Sequence, residues 1–508
     1  MDEQELVNDA RAQGTLGKDG VKLTISKVIT LTLAMVSAML LSRFRTLSEY
    51  GTYSQIILIS NIATSLFMLG LPASINYFLS RAETREEQNK FLSVFYTLTT
   101  ILTFVIGLLL VLSISLIANF LNNPFIINFA YFLALFPWTR IIMGTIENIL
   151  VVNKKTWTLM VYRVSNAIIV LITIIISYYS NFSFNTYMII FLFVEIIYSL
   201  IVYLIVSCFF GKLSISFDKS LLRNIFAFSI PIGLASAVGT INIELDKLMI
   251  GWFFDLEQVA IYSNAGKELP ITIISVSLTA VLLPELARYF KTGQVDIALE
   301  KWRASTTLSL IIVSLFVFGI FVYAPDVMTI LYSQKYLPGT NVFRVYIILL
   351  LLRTTYFGII LNATANTKYI LFSAIFSLIM NILLNFLFYW WLGFIGPAIA
   401  TLLSQLIMNA LQLIITSKII KRPINKLFPF KECAIILSIA LIFGILFYYL
   451  KLWLPLDQFI GSIGESLVLG IVWAILYICL MFKKIIILWN ELNNNNNNNK
   501  GEIENPVR

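Results

Sequence analysis

Residues 186–210 read TYMIIFLFVEIIYSLIVYLIVSCFF and contain a single charged residue, Glu195. A helix needs about twenty mostly apolar residues to cross a bilayer, because each residue adds about 1.5 Å and the hydrocarbon core is about 30 Å thick. In lipid, only helices and closed barrels satisfy their own backbone hydrogen bonds. This stretch therefore predicts a membrane-spanning helix.

Apolar runs of similar length recur along the whole chain of 508 residues. The composition is 59% hydrophobic and 12% charged, with a mean hydropathy of +0.86, whereas soluble domains carry about 25% charged residues. We place about fourteen spans, at 21–42, 50–72, 91–120, 126–152, 157–179, 186–210, 221–251, 259–284, 302–323, 342–362, 369–390, 396–416, 433–451 and 463–482. The sequence predicts an all-α, polytopic membrane protein.

The basic residues indicate how the chain is oriented. Most of the 36 Lys and Arg residues fall in alternate loops, on the side of the two termini, so the positive-inside rule places both termini in the cytoplasm. The net charge of +9 is explained by these loops, and we predict no nucleic-acid partner. The longest outward loop, 324–340, is too short for an external catalytic domain.

The sequence offers no metal or redox framework. Histidine is absent, and Cys208, Cys433 and Cys479 lie in or beside apolar runs without a ligand-like spacing. We therefore predict neither a metal site nor a cofactor. Any proton coupling must use carboxylates, because no histidine is present to change its charge near neutral pH.

Two pairs of segments suggest an internal repeat. Residues 47–54, LSEYGTYS, resemble residues 256–263, LEQVAIYS, and residues 153–155, NKK, resemble residues 366–368, NTK. The first pair is separated by six spans, so the repeats have the same orientation in the membrane. The predicted organisation is a cytoplasmic tail (1–20), a six-helix lobe (21–210), a second six-helix lobe with its linkers (211–431), an additional helix pair (432–482) and a disordered cytoplasmic tail (483–508).

Short motifs spread over nearly the whole chain carry a family resemblance. They are Glu49-Tyr50-Gly51, Leu69-Gly70-Leu71-Pro72, Asp246 to Gly251 (DKLMIG), Ala260-Ile261-Tyr262, Leu331 to Tyr336 (LYSQKY), Asn381 with Asn385, and Gly393 to Thr401 (GFIGPAIAT). In this order and spacing, the chain resembles the polysaccharide transporter (O-antigen flippase-like) family of the multidrug/oligosaccharidyl-lipid/polysaccharide exporter superfamily.

The resemblance implies a V-shaped bundle of two six-helix lobes, often with two extra C-terminal helices, around a cavity that opens alternately to each side. It implies that the substrate is a polyprenyl-diphosphate-linked oligosaccharide for a surface polysaccharide such as the O-antigen of lipopolysaccharide. It also implies the cytoplasmic (inner) membrane of a bacterium, and proton or sodium antiport, between which the sequence does not decide. Besides membrane lipids, a polysaccharide polymerase and glycosyltransferases are candidate partners.

Charged residues inside spans are the candidate site residues, because such residues are costly in lipid and usually face a cavity or a partner. We predict that Arg140 and Arg353, from opposite lobes, attract the diphosphate together with Lys267. A guanidinium group can donate two parallel hydrogen bonds to the oxygens of one phosphate. The full substrate-binding set is Arg140, Arg353, Lys267, Lys247 and Arg163, and the ion-coupling candidates are Glu147, Glu195, Asp246 and Glu268.

Some of these charges also have purely structural explanations. Glu147 lies two turns after Arg140 and could pair with it, and Glu244 could pair with Lys247 at i and i+3. Arg163 lies near an inner helix end and could be an interface anchor. Arg344 lies near an outer end and, nine residues from Arg353, would point to the opposite face of a straight helix.

Two other functions remain open. A multidrug exporter of the same superfamily would share the fold, but acids would be expected to dominate its cavity because many such substrates are cations. A membrane O-unit polymerase or other glycosyltransferase would need a catalytic loop with convergent acids and bases. The short outward loops argue against that enzyme, so we predict a transporter and not an enzyme.

Overall fold

The structure is a computed structural model that describes residues 3–267, 269–454 and 456–493. Every regular element among these residues is a helix, as the sequence predicts. The chain divides into two compact units, Met1–Ser263 and Asn264–Arg508. The first unit includes residues 211–263, which the predicted boundary assigns to the second lobe, and the boundary between repeated lobes stays a prediction.

The first unit consists of ten helices, the last of which runs two residues beyond it. They are α1 (Glu3–Phe44), α2 (Leu47–Phe67), α3 (Leu71–Leu79), α4 (Arg85–Leu112), α5 (Ile114–Phe120), α6 (Ala130–Val152), α7 (Thr156–Tyr179), α8 (Phe184–Phe210), α9 (Lys219–Phe253) and α10 (Leu256–Ala265). Buried side chains from α4, α6 and α8, among them Phe95, Ile142 and Val202, form its core.

The repeated segments each begin a helix. The Thr46 hydroxyl caps α2 by accepting a hydrogen bond from the Glu49 backbone amide (3.2 Å). The Glu49 carboxylate in turn accepts a hydrogen bond from the Thr46 backbone amide (3.1 Å). Asp255 likewise accepts from the Gln258 amide (2.8 Å) at the start of α10. The two starts touch, because a Cβ on Gly51 would lie 2.2 Å from the Leu256 carbonyl oxygen. The motif Glu49-Tyr50-Gly51 therefore has a structural reason, because only glycine lets α2 and α10 approach this closely.

The motif Leu69-Gly70-Leu71-Pro72 bends the second span. Helices α2 and α3 meet there at 51°, and Gly70 has a φ of 70°, which favours glycine. Pro72 lies in the first turn of α3, where its missing N–H leaves no hydrogen bond unmade. Gly70 also crosses Gly233 of α9, where a Cβ would lie 2.1 Å from the Leu69 carbonyl carbon.

The second unit also consists of ten helices. They are α11 (Ile273–Lys291), α12 (Val295–Val322), α13 (Ala324–Tyr332), α14 (Thr340–Leu349), α15 (Ile359–Ala363), α16 (Thr367–Leu392), α17 (Gly396–Ile420), α18 (Ile424–Leu427), α19 (Phe430–Trp453) and α20 (Asp457–Asn493). Ile311, Ile436 and Trp473 join α12, α19 and α20 in one core cluster, and Leu286 and Trp302 belong to another that involves α11 and α12.

A polar cluster ties the C-terminal helix pair, α19 and α20, to α13. The Asp326 carboxylate forms an ion pair with Lys451 and accepts hydrogen bonds from Ser462 and Ser466, both at 2.7 Å. At the other end of α20, Lys301 donates to the Leu492 carbonyl (3.2 Å) and satisfies a carbonyl that the helix leaves free. Both ends of α20 are therefore held by polar contacts.

Eleven stretches of the described chain are long and apolar enough to cross a membrane, and the bent pair of α2 and α3 makes twelve. The stretch Thr367–Ile420 contains two helices, α16 and α17, separated at Gly393, whose φ is 57°. These numbers are compatible with the predicted fourteen spans.

Two predicted spans are interrupted. The predicted helix 259–284 breaks between α10 and α11, because Leu269 is extended and Pro270 cannot donate a backbone hydrogen bond. The predicted helix 342–362 ends as an α-helix at Leu349 and tightens into a 3-10 turn that ends at Arg353. Asn409 donates to the Leu352 carbonyl (2.8 Å), so a side chain from α17 supports this break.

The prediction of a disordered tail from residue 483 is wrong for its first part. Helix α20 continues to Asn493, because Leu488 is buried in the core that α20 shares with α12 and α19. Residues 494–508 lie outside the described residues.

Candidate functional site

The exposed faces of the helices in the first unit are of two kinds. Helix α4 exposes Ile101, Phe104 and Leu108, an apolar surface that suits lipid. Helix α6 instead exposes Arg140, and seven residues later Glu147, on the same side. A polar exposed face in a membrane helix indicates contact with water or a polar ligand.

Helix α6 carries Arg140 to the middle of the bilayer. Arg140 lies about 15 Å from Ala130 and about 18 Å from Val152, at 1.5 Å per residue. A Cβ on the exposed Gly144, one turn after Arg140, would meet no atom within 4 Å. The opposite side of α6 is buried in the core. The structure therefore places the Arg140 side chain beside open space and not within a packed interface.

Arg140 belongs to a polar cluster that we call the mid-membrane cluster: Tyr53 of α2, Arg140 of α6, Asn166 of α7 and Glu195 of α8. Arg140 interacts electrostatically with both the Tyr53 hydroxyl and the Glu195 carboxyl, and the Asn166 amide lies beside that carboxyl. The Arg140 guanidinium also lies 5.2 Å from the centroid of the Phe136 ring. Four helices thus contribute polar side chains at one depth.

Glu195 is the buried member of this cluster. Only 2% of its surface is exposed, and its Oε2 atom has no hydrogen-bond partner among the described residues. Burying an ionised carboxylate costs several kcal/mol unless it is paired and hydrogen-bonded. Glu195 is therefore a buried carboxyl with one oxygen left without a hydrogen bond among the described residues, and its role in ion coupling stays a prediction.

Glu147 pairs with Arg163 of α7 and not with Arg140. The possible Arg140–Glu147 pair suggested by the sequence is therefore wrong. Half of the Glu147 side chain remains exposed, against 22% of Arg163, so the pair lies at the surface of the α6 face. Arg163 is held across two helices and not merely at a helix end, and its role in substrate binding stays a prediction.

The polar face continues onto α3 with residues that the sequence analysis missed. Asn76 donates to Asn148 (3.3 Å), which in turn donates to the Pro72 carbonyl (3.1 Å). The Arg81 guanidinium lies 3.9 Å from the centroid of the Tyr77 ring. These residues form a surface that we call the polar track. It consists of Arg140, Gly144, Glu147 and Asn148 of α6, Arg163 of α7, Asn76 of α3, and Arg81, which lies just after α3. It runs from mid-membrane toward one end of the first unit.

The predicted charges on α9 are paired or buried within the first unit. Lys247 forms an ion pair with Glu244 at 2.7 Å, the i and i+3 alternative that the sequence suggested. Glu244 also accepts from Asn61 of α2 (3.3 Å). Asp246 is 1% exposed and accepts from the Tyr262 hydroxyl at 3.5 Å. Their predicted roles in substrate binding and ion coupling remain predictions.

The second unit places its predicted residues at helix breaks. Lys267 is exposed just after α10, and Glu268 lies outside the described residues. Arg353 ends the 3-10 turn after α14, so the straight-helix comparison with Arg344 does not apply. Arg344 donates to the Phe321 carbonyl (3.3 Å) near the start of α14. The eight predicted residues that the structure describes are thus divided among the mid-membrane cluster, the polar track, α9 and these breaks.

The chain resembles one protein family and several individual proteins. Residues 40–341 match the family described as polysaccharide biosynthesis protein. The chain is 27% identical over 370 residues to the uncharacterized membrane protein MJ1068 of Methanocaldococcus jannaschii, covering 67% of this chain and 71% of that protein. It is 24% identical over 217 residues to the probable low-salt glycan biosynthesis flippase Agl15 of Haloferax volcanii, covering 41% and 46%.

Solved structures share the fold. The lipid II flippase MurJ in its inward closed conformation superposes with a TM-score of 0.73 at 18% identity, over 92% of this chain and 100% of that one. An inward-facing multidrug resistance MATE family transporter of the MOP superfamily gives a TM-score of 0.63 at 15% identity, over 77% and 96%. At these identities the likeness shows the multi-pass helical fold alone.

Proposed function

Because the chain belongs to the family of polysaccharide biosynthesis proteins, we propose that it is a flippase for a lipid-linked oligosaccharide. The lipid tail stays in the bilayer while the diphosphate and glycan cross it by alternating access. The protein does not build the glycan but moves it, in the cytoplasmic membrane with both termini inside. The polymerase and glycosyltransferases that extend and synthesise the glycan are its proposed partners.

The observation that carries this proposal is the polar track with Arg140 at mid-membrane. Moving one small ion into a medium like dry protein costs of order 20 kcal/mol in an idealised estimate, and a diphosphate carries more than one charge. An exposed guanidinium at the middle of a span offsets part of this cost by bidentate hydrogen bonds to phosphate oxygens. Asparagine amides along the track suit the hydroxyl groups of a glycan.

The other predicted residues take roles in the same proposal. Arg140 is the anion contact of the first unit, with Arg353 and Lys267 as candidates in the second. Glu195 is the favoured coupling carboxylate, because it is buried beside Arg140 and one of its oxygens has no hydrogen-bond partner among the described residues. Glu147 and Arg163 form an ion pair in the polar track, and this pair contributes polar atoms to the track without adding a net charge.

The multidrug exporter is the second candidate, since a transporter of that kind has the same fold. The exposed arginine at mid-membrane favours an anionic substrate over a cationic drug. The likeness to a probable glycan biosynthesis flippase points the same way.

The test is translocation in reconstituted vesicles. A labelled polyprenyl-diphosphate oligosaccharide should become accessible to an external enzyme faster with the protein than without it, and a cationic dye should not accumulate. Arg140→Gln should slow glycolipid movement about 10- to 100-fold, the loss expected for charge-assisted hydrogen bonds worth about 1.5–3 kcal/mol.

Arg43→Gln is the matched control, because Arg43 is exposed in the last turn of α1, where its neighbour Phe44 stacks on Tyr178 at the opposite end of α7 from Arg163. Its rate should equal that of the unaltered protein. Dye transport without glycolipid transport would assign the chain to the multidrug class. Equal rates in the two variants would remove Arg140 from the proposed route.

A further inference from the structure

A large cavity lies within the second unit, whereas the mid-membrane cluster and the polar track belong to the first. Its volume is about 940 Å³, and its walls come from α12, from the segment between α17 and α19, from the first turn of α19 and from the last third of α20. None of the residues predicted to bind substrate or a coupling ion lines it.

The cavity is lined by both charged and apolar side chains. The basic residues are Arg303, Arg422, Lys426, Lys483 and Lys484, and the acidic residues are Asp296, Glu300, Glu432 and Glu491. Arg422 is paired with Asp296 at 2.9 Å, and Arg303 lies 4.0 Å from Glu432. In the described part of the chain, the three lysines form no ion pair.

The charges are sorted by depth along the helices. On α20, Leu480 comes first, then Lys483 and Lys484, and Glu491 follows about 10 Å later, at 1.5 Å per residue. On α12, Asp296 lies in the first turn and Arg303 about two turns deeper. The deep layer is therefore apolar, the next layer contains Arg303, Lys483 and Lys484 with Glu432 as its acid, and Asp296 and Glu491 lie toward the helix ends.

This basic layer has the depth of a lipid headgroup. Lys483 lies 21 residues after Ser462, where α20 resumes beyond the non-helical Gly461, or about 32 Å along the helix axis. The hydrocarbon core of a bilayer is about 30 Å thick. If Ser462 lies at one edge of this core, Lys483 and Lys484 lie among the phosphates at the other.

Apolar surface adjoins the basic layer. Leu480 and Ile487 line the cavity and are each about half exposed, and their neighbours Phe482 and Trp489 are exposed as well. A free phosphate ester would gain nothing from this surface, whereas the acyl chains of a lipid would bury it at about 25 cal/mol per Å². Trp489 suits an interfacial position, where tryptophan is enriched.

From these observations we propose that the cavity binds an anionic phospholipid. The phosphodiester lies against Arg303, Lys483 and Lys484, and the acyl chains run along Leu480 and the exposed apolar face of α20. Lys426, which belongs to the short helix α18, adds a charge from the connecting segment. The bound lipid joins α12, α18 and α20, and this binding is independent of the transported substrate.

The test compares affinities for phosphatidylglycerol. The full-length protein in detergent is titrated with phosphatidylglycerol, with phosphatidylcholine and with glycerol 3-phosphate, and bound lipid is counted by native mass spectrometry. The variant Lys426→Gln/Lys483→Gln/Lys484→Gln should bind phosphatidylglycerol more than tenfold more weakly, because each lysine near an anionic lipid surface contributes a factor of about five.

The control variant is Lys212→Gln/Lys219→Gln/Lys291→Gln, which removes three exposed lysines that do not line the cavity. It should bind phosphatidylglycerol like the unaltered protein, and both variants should keep their helical circular dichroism. Equal affinities in the two variants, or equal binding of phosphatidylcholine, overturn the proposal. Displacement of phosphatidylglycerol by equimolar glycerol 3-phosphate also overturns it and assigns the cavity to a soluble phosphate ester.

Discussion

Glu195 and Arg140 carry opposite charges and differ in their exposure. The Glu195 side chain is buried, whereas the Arg140 side chain is exposed. The carboxylate oxygen Oε2 has no hydrogen-bond partner among the described residues, so the ionised form relies on the nearby guanidinium. We propose that a substrate phosphate bound to Arg140 withdraws that support, and that proton uptake by Glu195 is thereby linked to anion binding.

We expect Glu195→Gln to uncouple transport from the proton gradient. The amide has the shape of the protonated acid but cannot release a proton, so the variant should flip glycolipid at the rate that the unaltered protein shows without a gradient. The measurement is the flipping rate in vesicles with and without a pH difference, and with a sodium gradient in parallel. Glu86→Gln, in the exposed first turn of α4, is the control.

A variant that keeps full stimulation by the proton gradient would exclude Glu195 as the coupling carboxylate. Loss of stimulation by sodium alone would identify sodium and not the proton as the coupling ion.

The sequence predicts the candidate site residues through the position of each charged residue along its span. Arg140 and Glu195 are far from both ends of their helices, and this position alone predicts a polar surrounding. The partner of Glu147 could not be predicted in this way, because Arg163 comes from a neighbouring helix and the choice depends on how α6 and α7 pack. Asn76 and Asn148 were missed because neutral amides near a helix end carry no comparable cost.

At the scale of elements, the crossing of α3 and α9 depends on two glycines. A Cβ on Gly233 would lie 2.1 Å from the Leu69 carbonyl carbon and 2.3 Å from the Gly70 nitrogen, both backbone atoms that cannot rotate away. The backbone of the bent span is therefore in direct contact with α9.

Gly233→Ala should force this crossing apart and destabilise the protein by about 1–3 kcal/mol, the usual cost of overpacking. Gly239→Ala is the control on the same helix, because a Cβ there would meet no atom within 4 Å. It should stabilise α9 by up to about 1 kcal/mol, since alanine is the better helix former. Thermal unfolding in detergent measures both changes, and equal melting temperatures would show that the crossing is not tight in solution.

The positions of the spans were largely predictable and their interruptions only partly so. Helix-length apolar runs predict where α6, α7 and α8 lie within a few residues, because the bilayer sets the length of a span. Pro270 and Gly70 were visible signals for two of the breaks. The break after Arg353 has no proline, and its support by Asn409 is a tertiary contact that the local sequence does not contain.

At the scale of the whole molecule, the number of spans decides on which side of the membrane the chain ends. Length and hydropathy give eleven or twelve candidates in the described chain. Counting α16 and α17 separately adds one span, and the predicted span across the break between α10 and α11 would add another, so these numbers are compatible with the predicted fourteen. An even number would place both termini on the same side, as the distribution of basic residues predicts.

Reporter fusions test this topology. Green fluorescent protein fused after Asn493 should fluoresce, because it folds only in the cytoplasm, and alkaline phosphatase fused after Trp453 should be active, because that residue ends α19 on the opposite side. Fusions after Ser180, between α7 and α8, are the matched outward control. Phosphatase activity at Asn493 would mean an odd number of spans. The lysines at the end of α20 would then face outward, although positively charged loops are retained on the cytoplasmic side.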